Sequence, residues 1–526
     1  MSFARKIEEL KEFILDVWRY GLGKVGLILA ISIIIISIAA AVTIPPGFSS
    51  NWFNPSYWAD YPQLAPPAWV TYFGVQKAHH KVVEFYGYQN HVINTGRGFI
   101  MVTYSMTYHL RMHDFPQNVM AEFKGDVMNL EYYSSHPLPI VINVTRPDGY
   151  TITVFQGAVP TSTINTSPIS PSPSVTISSL APLIAKYTPL SQAEFLSAYA
   201  NKLVEGGIYE QFIFGIPKLV NGTLLATPLT GVYKVTLAIV LPSPHVLKQM
   251  LSQPGLSEQQ KKIIKEMLHD VNVIEKNGVT PKVKLVVVGD CYGLLGTDRY
   301  GRDLALGIFY GFPIAVLVGF FAAVLATFIG GVVGVVSGYY GGMVDEVVQR
   351  LIDISVNIPL LPILVLIGFI VQKLFLNPWI RVFVVIAFLI AFSWGGTAIV
   401  VRSMALSIKA EPYVEAARAA GASNVRIIFR HVFPQVVPYL FAVLVFSVPG
   451  AVLTIAGLSV LGIRFGLPSW GSILADLRSY VQQAGPSALM TWWWLVPPGA
   501  MLALLSFTFI ALGIAMETVV EPRLRR

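Results

Sequence analysis

The sequence predicts an α-helical polytopic membrane protein with six transmembrane helices and a mostly β, sandwich-like extracytoplasmic domain between helices 1 and 2. Three observations predict it. Of 526 residues, 54% are hydrophobic and only 13% charged, where soluble chains carry roughly 25% charged residues. Lys, Arg, Asp and Glu are absent from six runs, 25–59, 304–344, 354–372, 382–401, 432–463 and 479–516, and each run can hold the ~20 apolar residues of a spanning helix. Between the first two runs lies a long segment with period-two alternation, the pattern of half-buried strands.

The organisation follows in chain order. Residues 1–24 read as a cytoplasmic segment, 25–45 as transmembrane helix 1, 46–290 as the extracytoplasmic domain, and 291–526 as a second membrane domain. Its spans are expected at about 314–338, 355–372, 382–401, 436–462 and 496–516, with a cytoplasmic loop over 402–435. Sidedness comes from Lys and Arg near the helix ends. Five of them precede residue 25, five lie in the loop (Arg402, Lys409, Arg418, Arg426, Arg430) and three are in the tail. The short loops on the other side hold only Lys373 and Arg381, or Arg464 and Arg478. Both termini are therefore expected in the cytoplasm. A cleaved signal peptide ending at Ala39-Ala40-Ala41 fits less well, because the apolar run is long and four acids precede it.

In the outer segment, 140–145 and 150–154 read as strands joined by a turn at Pro147-Asp148-Gly149. Further strands are expected at 81–87, 98–110, 208–214, 231–241 and 282–288, and a helical hairpin over 245–275 broken at Pro254-Gly255. The Ser/Thr/Pro-rich stretch 160–179 reads as a flexible loop. The one cysteine, Cys291, leaves this domain without a disulfide. Sequons at Asn143, Asn165 and Asn221 all fall in the outer segment and are compatible with glycosylation.

Net charge of +8 does not indicate nucleic acid. The segment 45–290 holds 17 Lys/Arg against 15 Asp/Glu, and no basic stripe interleaves with aromatics. No phosphate-cradling loop, H-E-x-x-H helix or paired C-x-x-C occurs, so no catalytic, cofactor or metal site is expected, and any ATP hydrolysis belongs to another subunit. His109 with His113, and His79-His80, read as ordinary surface histidines. The spans carry no Asp, Glu, Lys or Arg, which disfavours an ion-coupled transporter and favours a conduit driven from outside itself. Gly330, Gly334, Gly338 and Gly342 recur every four residues, a spacing that clears one helix face for close packing. Trp492-Trp493-Trp494 read as an interfacial aromatic belt.

The loop Glu411-Pro412-Tyr413-Val414-Glu415-Ala416-Ala417-Arg418-Ala419-Ala420-Gly421 is the most informative segment. Pro412 suits a first helical turn, Gly421 a left-handed stop, and Ser423 the cap of a second helix. Such a helix either inserts into a partner's groove or lies amphipathically at the membrane surface. The residues alone leave both open.

Glu415-Ala416-Ala417, Gly421 and His431-Val432-Phe433-Pro434 resemble the E-A-A coupling motif of prokaryotic ABC importer permeases. Gly296-Thr297-Asp298-Arg299-Tyr300-Gly301-Arg302-Asp303 resembles the G-T-D-x-x-G-R-D signature of the dipeptide/oligopeptide/nickel branch. Leu461-Gly462 with Pro468-Ser469-Trp470-Gly471, and the tail Glu521-Pro522-Arg523-Leu524-Arg525, resemble further blocks of its C-type permeases. The resemblance covers 291–526 strongly and 1–45 weakly, and it says nothing of 46–290. Tyr310-Gly311-Phe312-Pro313 departs from the family's Y-G-A-R.

The resemblance implies a type I ABC importer permease fold in the prokaryotic cell membrane, working with a second homologous permease, two cytosolic ATPases and an extracytoplasmic solute-binding protein. Glu411, Glu415, Ala416, Ala417, Gly421 and Pro434 would couple to the ATPase, with Gly296, Thr297, Asp298, Gly301, Arg302, Asp303, Trp470 and Gly471 as signature residues. It implies short peptides as cargo, with oligosaccharides or nickel as alternatives on the same machinery. A membrane-anchored sensor is a remote alternative.

Overall fold

The charge-free runs become helices because a backbone placed in lipid must satisfy its own hydrogen bonds. The structure, a computed structural model, describes residues 12–520 apart from 13, 87–90, 95–97, 112–113, 165–166, 281 and 376. The chain divides into two units, one running to Phe53 and resuming at Ala305, the other Asn54–Leu304.

The membrane unit is built from α1 (Gly21–Thr43), α2 (Leu304–Tyr340), α3 (Gly342–Asn357), α4 (Leu360–Leu374), α5 (Pro378–Ser393), α6 (Gly395–Lys409), α7 (Pro412–Ala419), α8 (Phe433–Val460), α9 (Trp470–Ala484) and α10 (Trp492–Val520). Among the described residues, five helices are long and apolar enough to cross a membrane, and six spans result if the bent pair α3–α4 counts as one. That pair turns by 77°. Ile358 and Pro359 adopt extended conformations there, because proline lacks an N–H and pushes its predecessor out of the helical region. The expected span 355–372 therefore starts late, at Leu360, and α3 is an amphipathic helix carrying Asp345, Glu346, Arg350 and Asp353.

Glycines set the closest helix contacts. A Cβ at Gly330, Gly334 or Gly338 would stand 2.7, 2.7 or 2.6 Å from the carbonyl oxygens of Trp394, Ala398 and Arg402. Backbone thus lies on backbone along two turns of α2 and the residues Trp394–Arg402. Gly342 falls outside this ridge, in open space after the end of α2. Near the end of the ridge Arg402 pairs with Asp345, which also accepts from the Ser337 hydroxyl. Trp494 is not part of an interfacial belt. It is fully buried, with its indole donating to the Ile473 carbonyl at 3.2 Å and stacked on Tyr480.

The unit Asn54–Leu304, labelled the outer unit because the distribution of Lys and Arg predicts it outside the membrane, contains an antiparallel five-stranded sheet and an antiparallel three-stranded sheet. Its strands are β1 (Lys81–Tyr86), β2 (His91–Asn94), β3 (Phe99–Leu110), β4 (Asn118–Lys124), β5 (Leu138–Thr145), β6 (Thr151–Val159), β7 (Gly215–Val220), β8 (Thr223–Pro228), β9 (Gly231–Pro242) and β10 (Lys282–Val288). The larger sheet has the order β2-β3-β9-β5-β6, the smaller β1-β10-β4, and β7-β8 form a separate hairpin. Inward residues of both sheets, such as Tyr104, Val235 and Ile142 with Phe123 and Leu285, share one core. The helical hairpin appears as Pro244–Leu251 and Glu258–Asn277, and the turn at 147–149 joins β5 to β6.

Three expectations are corrected here. The stretch 160–179 is largely helical, with a turn at Thr161–Ile164 and a helix Pro173–Tyr187 that buries Ile177, Leu180, Ala181 and Ile184. Its apolar face emerges only over the last residues of the Pro/Ser-rich stretch and beyond them. Residues 208–214 form no strand: Gln211–Phe214 is a helical turn with Phe212, Ile213 and Phe214 all buried, and pairing begins at Gly215. The buried Arg146 holds that turn, donating to the carbonyls of Phe212, Ile213 and Gly215 at 2.9, 3.1 and 2.8 Å while pairing with Asp148. The outer unit also runs past 290 to Leu304.

Candidate coupling and signature sites

Pro412 opens α7, Ala420 and Gly421 close it, and Gly421 has φ +79° with nothing within 4 Å of the position a Cβ would take. The Gly421 amide donates to Arg418 O and that of Ala422 to Ala417 O, the bonding of a helix ended by a left-handed residue. Ser423 then caps the next turn by accepting from the Arg426 amide.

Only Val414 of this helix is buried, within a cluster of Val335, Tyr339, Val401, Ala405, Ile427 and Val432. Tyr339 organises the underside. Its hydroxyl donates to Asn424 Oδ1 at 3.0 Å, while Lys409 and Arg418 stand 5.6 and 5.7 Å from its ring centroid. Both lie within the range of cation–π attraction. Glu411, Glu415, Ala416, Gly421 and Pro434 are exposed and Ala417 is half-buried. With Tyr413, Val425 and Phe429 also exposed, the loop presents small and apolar side chains on a rigid support. The two glutamates at the start of α7 suit the positive end of its dipole. Nothing in the sequence pattern marked Tyr339 as the pivot of this loop.

The signature 296–303 lies in the outer unit, and its polar residues point inward. Thr297, Asp298 and Arg302 are buried. Asp298 accepts from the amides of Tyr300 and Arg302 and from Arg302 Nε at 2.5 Å. Thr297 Oγ1 donates to Pro62 O and accepts from the Ala65 amide. Gly301 has φ +78°, and a Cβ there would lie 2.9 Å from the Trp58 carbonyl. Thr297 and Asp303 face each other in a bridge, and the Leu304 amide donates to Gly296 O. The motif is a closed turn clasped by residues 58–65.

Trp470 and Gly471 belong to the membrane unit. Trp470 donates from Nε1 to Ile308 O at 2.9 Å and meets Phe312 edge-on at 4.9 Å, while Gly471 lies against Ala456, whose Cα would be 2.6 Å from an added Cβ. The Tyr310-Gly311-Phe312 sequence serves this contact, since a Cβ on Gly311 would strike the Trp470 ring at 2.7 Å.

Among the described residues no group of His, Cys, Asp and Glu could hold a metal. His109 is exposed, and His113 and the tail 521–526 lie outside the described residues. His80 is no surface histidine. It stacks on Tyr61 and meets Tyr292 edge-on, and burial pushes its pKa down to about 4.

Residues 330–526 match the family described as binding-protein-dependent transport system inner membrane component. The chain is 34% identical over 233 residues to the peptidoglycan transport system permease protein of Agrobacterium fabrum, covering 44% of this chain and 57% of that protein. It is 31% identical to the dipeptide transport system permease protein of Bacillus subtilis (44% of this chain, 69% of the relative). To a putative peptide transport system permease protein of Brucella suis it is 35% identical (44% and 74%). The chain thus spans little more than half the length of the first of these relatives, and each alignment leaves more than half of this chain unmatched.

Proposed function

The chain belongs to the family of binding-protein-dependent transport system inner membrane components, and on that premise we propose that it is the permease subunit of an ATP-driven importer of short peptides. It forms half of the translocation pathway, beside a second homologous permease. Two cytosolic ATPases bind at the loop 402–435, and an extracytoplasmic binding protein delivers cargo. The termini lie in the cytoplasm and residues 46–290 outside, a sidedness that the distribution of Lys and Arg supports.

The observation that carries this reading is the form of α7: one buried anchor, Val414, beneath an exposed surface of alanines and Tyr413. A helix with small side chains lets a partner's surface approach closely, while its anchor transmits displacement to the cluster around Tyr339. Relatives named for dipeptide and peptide transport support a peptide-type cargo.

The test is Gly421→Val against Gly421→Asn in the reconstituted complex. Valine is strained at φ +79°, whereas asparagine tolerates the left-handed region. The valine variant is expected to reach the membrane yet lose transport and cargo-stimulated ATP hydrolysis, with asparagine close to the parent. Normal stimulation in the valine variant would overturn the coupling assignment. Mass spectrometry of molecules carried by the co-purified binding protein tests the cargo, and sugars in place of peptides would overturn it.

A further inference from the structure

At one end of the membrane unit the cations outnumber the acids. In the stretch 354–475 the only acids are Glu411 and Glu415, and both stand at the start of α7, after α6 has ended. The opposite end of the helices carries Lys373, Arg381, Arg464 and Arg478 against Asp476. Among the described residues, Lys373, Arg381 and Arg464 form no ion pair.

Backbone contacts hold these cations together. Arg381 donates from Nε to Phe375 O at 2.6 Å and from Nη1 to Arg464 O at 3.3 Å. The Arg464 amide donates to Gln372 Oε1 at 2.7 Å. Its neighbour Ile463 is buried, and a Cβ on Gly368 of α4 would stand 2.9 Å from it. The backbone at 464 is thus fixed from several sides while its side chain stays exposed, as does Lys373 beside Gln372.

The helices that carry the cluster set its height. α5 begins at Pro378 and α8 ends at Val460, and both belong to helices long and apolar enough to cross a membrane. Trp379, exposed in the first turn of α5, lies at the same level, and tryptophan is enriched where spans leave the hydrocarbon. Leu366, Phe369 and Ile370 are exposed on α4, seven, four and three residues before Lys373. That spacing puts them below the lysine on one face of the helix.

We propose that Lys373 and Arg464, positioned by Arg381, bind the phosphate of an acidic phospholipid whose chains lie along Leu366, Phe369 and Ile370. Cations held together without a carboxylate repel one another, and an anionic headgroup relieves that repulsion. A free phosphate meets the same charges but leaves the apolar stripe beneath them unused. The inference uses the membrane unit alone. It holds for either sidedness and does not rest on the peptide-importer reading.

The test titrates the delipidated full chain in detergent with phosphatidylglycerol, phosphatidylcholine or inorganic phosphate, counting bound lipid by native mass spectrometry. Phosphatidylglycerol is expected to bind about tenfold more tightly than phosphatidylcholine, and inorganic phosphate not to displace it. Lys373→Gln with Arg464→Gln is expected to weaken phosphatidylglycerol roughly 10- to 30-fold. Lys218→Gln with Lys248→Gln, both exposed in the other unit, removes the same charge and is expected to change nothing. Equal affinity in the parent and the first variant, or no preference for phosphatidylglycerol, overturns the proposal. Displacement by inorganic phosphate overturns it in favour of a plain anion site.

In native membranes a photoactivatable phosphatidylglycerol is expected to crosslink within 360–374 or 461–467. No crosslink there, with binding to the purified chain intact, overturns the proposal in favour of a protein that covers the patch.

Discussion

The indole nitrogen of Trp470 donates to the backbone carbonyl of Ile308 at 2.9 Å, tying the first residue of α9 to the second turn of α2. The contact is closed by Phe312 edge-on to the ring and by Gly311, whose missing Cβ makes room for it. Trp470→Phe removes the hydrogen bond and leaves a small void beside a smaller ring, at a cost of about 1–2 kcal/mol. Trp470→Ala also opens a cavity, at about 3–5 kcal/mol. Thermal unfolding of the detergent-purified chain, followed by size-exclusion, is expected to rank the parent above the phenylalanine variant and the alanine variant last.

The α2–α6 ridge predicts a graded glycine series. Gly334→Ala forces a Cβ to within 2.7 Å of the Ala398 carbonyl, an overpacking cost of about 1–3 kcal/mol. Gly450→Ala in α8 meets nothing within 4 Å and is expected to be neutral or mildly stabilising. Yield of monodisperse protein checks both, and equal yields would show that the ridge tolerates side chains.

Tyr339 offers a split between packing and hydrogen bonding under the loop 411–431. Tyr339→Phe keeps the buried ring and both cation contacts and loses only the bond to Asn424, about 1 kcal/mol. Tyr339→Ala removes all three. Proteolysis of the loop 411–431 is expected to be slightly faster in the first and much faster in the second, with the membrane helices intact in both.

His80 makes the outer unit acid-sensitive. Its pKa is about 4 in the fold because burial disfavours the imidazolium, and about 6.5 in the unfolded chain. Between those values the unfolded state binds more protons. Stability from this residue is therefore complete above pH 6.5 and falls as pH drops towards 4. The expected loss is about 1–3 kcal/mol, and His80→Gln should flatten that part of the melting profile of the full chain.

Glu210 acts at the other end of the range. Burial pushes its carboxyl up to about 7, so the fold favours the protonated form. Its destabilising effect is absent below about 4.5 and complete above 7. Glu210→Gln is expected to raise the melting temperature at pH 8 by a few degrees and to leave it unchanged at pH 4. An equal rise at both values would mean that the effect is not titration.

By itself the sequence determined the membrane architecture and the outline of the loop around Gly421. Charge-free runs, Pro412, Gly421 and Ser423 act through local rules: lipid forces helices, and caps and breakers depend on near neighbours. The alternating strands β3, β5, β9 and β10 were legible for the same reason. Tertiary structure decided the rest, because the deciding groups are distant in sequence. The helix Pro173–Tyr187 draws its burial from strands outside its own pattern, and residues 211–214 turn because Arg146 gathers their carbonyls. Trp494 became core only once Tyr480 and Ile473 closed over it. Nothing in the pattern of the charged signature Asp298–Arg302 says in one dimension whether it is buried. In three it is a buried clasp on residues 58–65, since a paired and fully hydrogen-bonded carboxylate can leave water where an isolated one cannot.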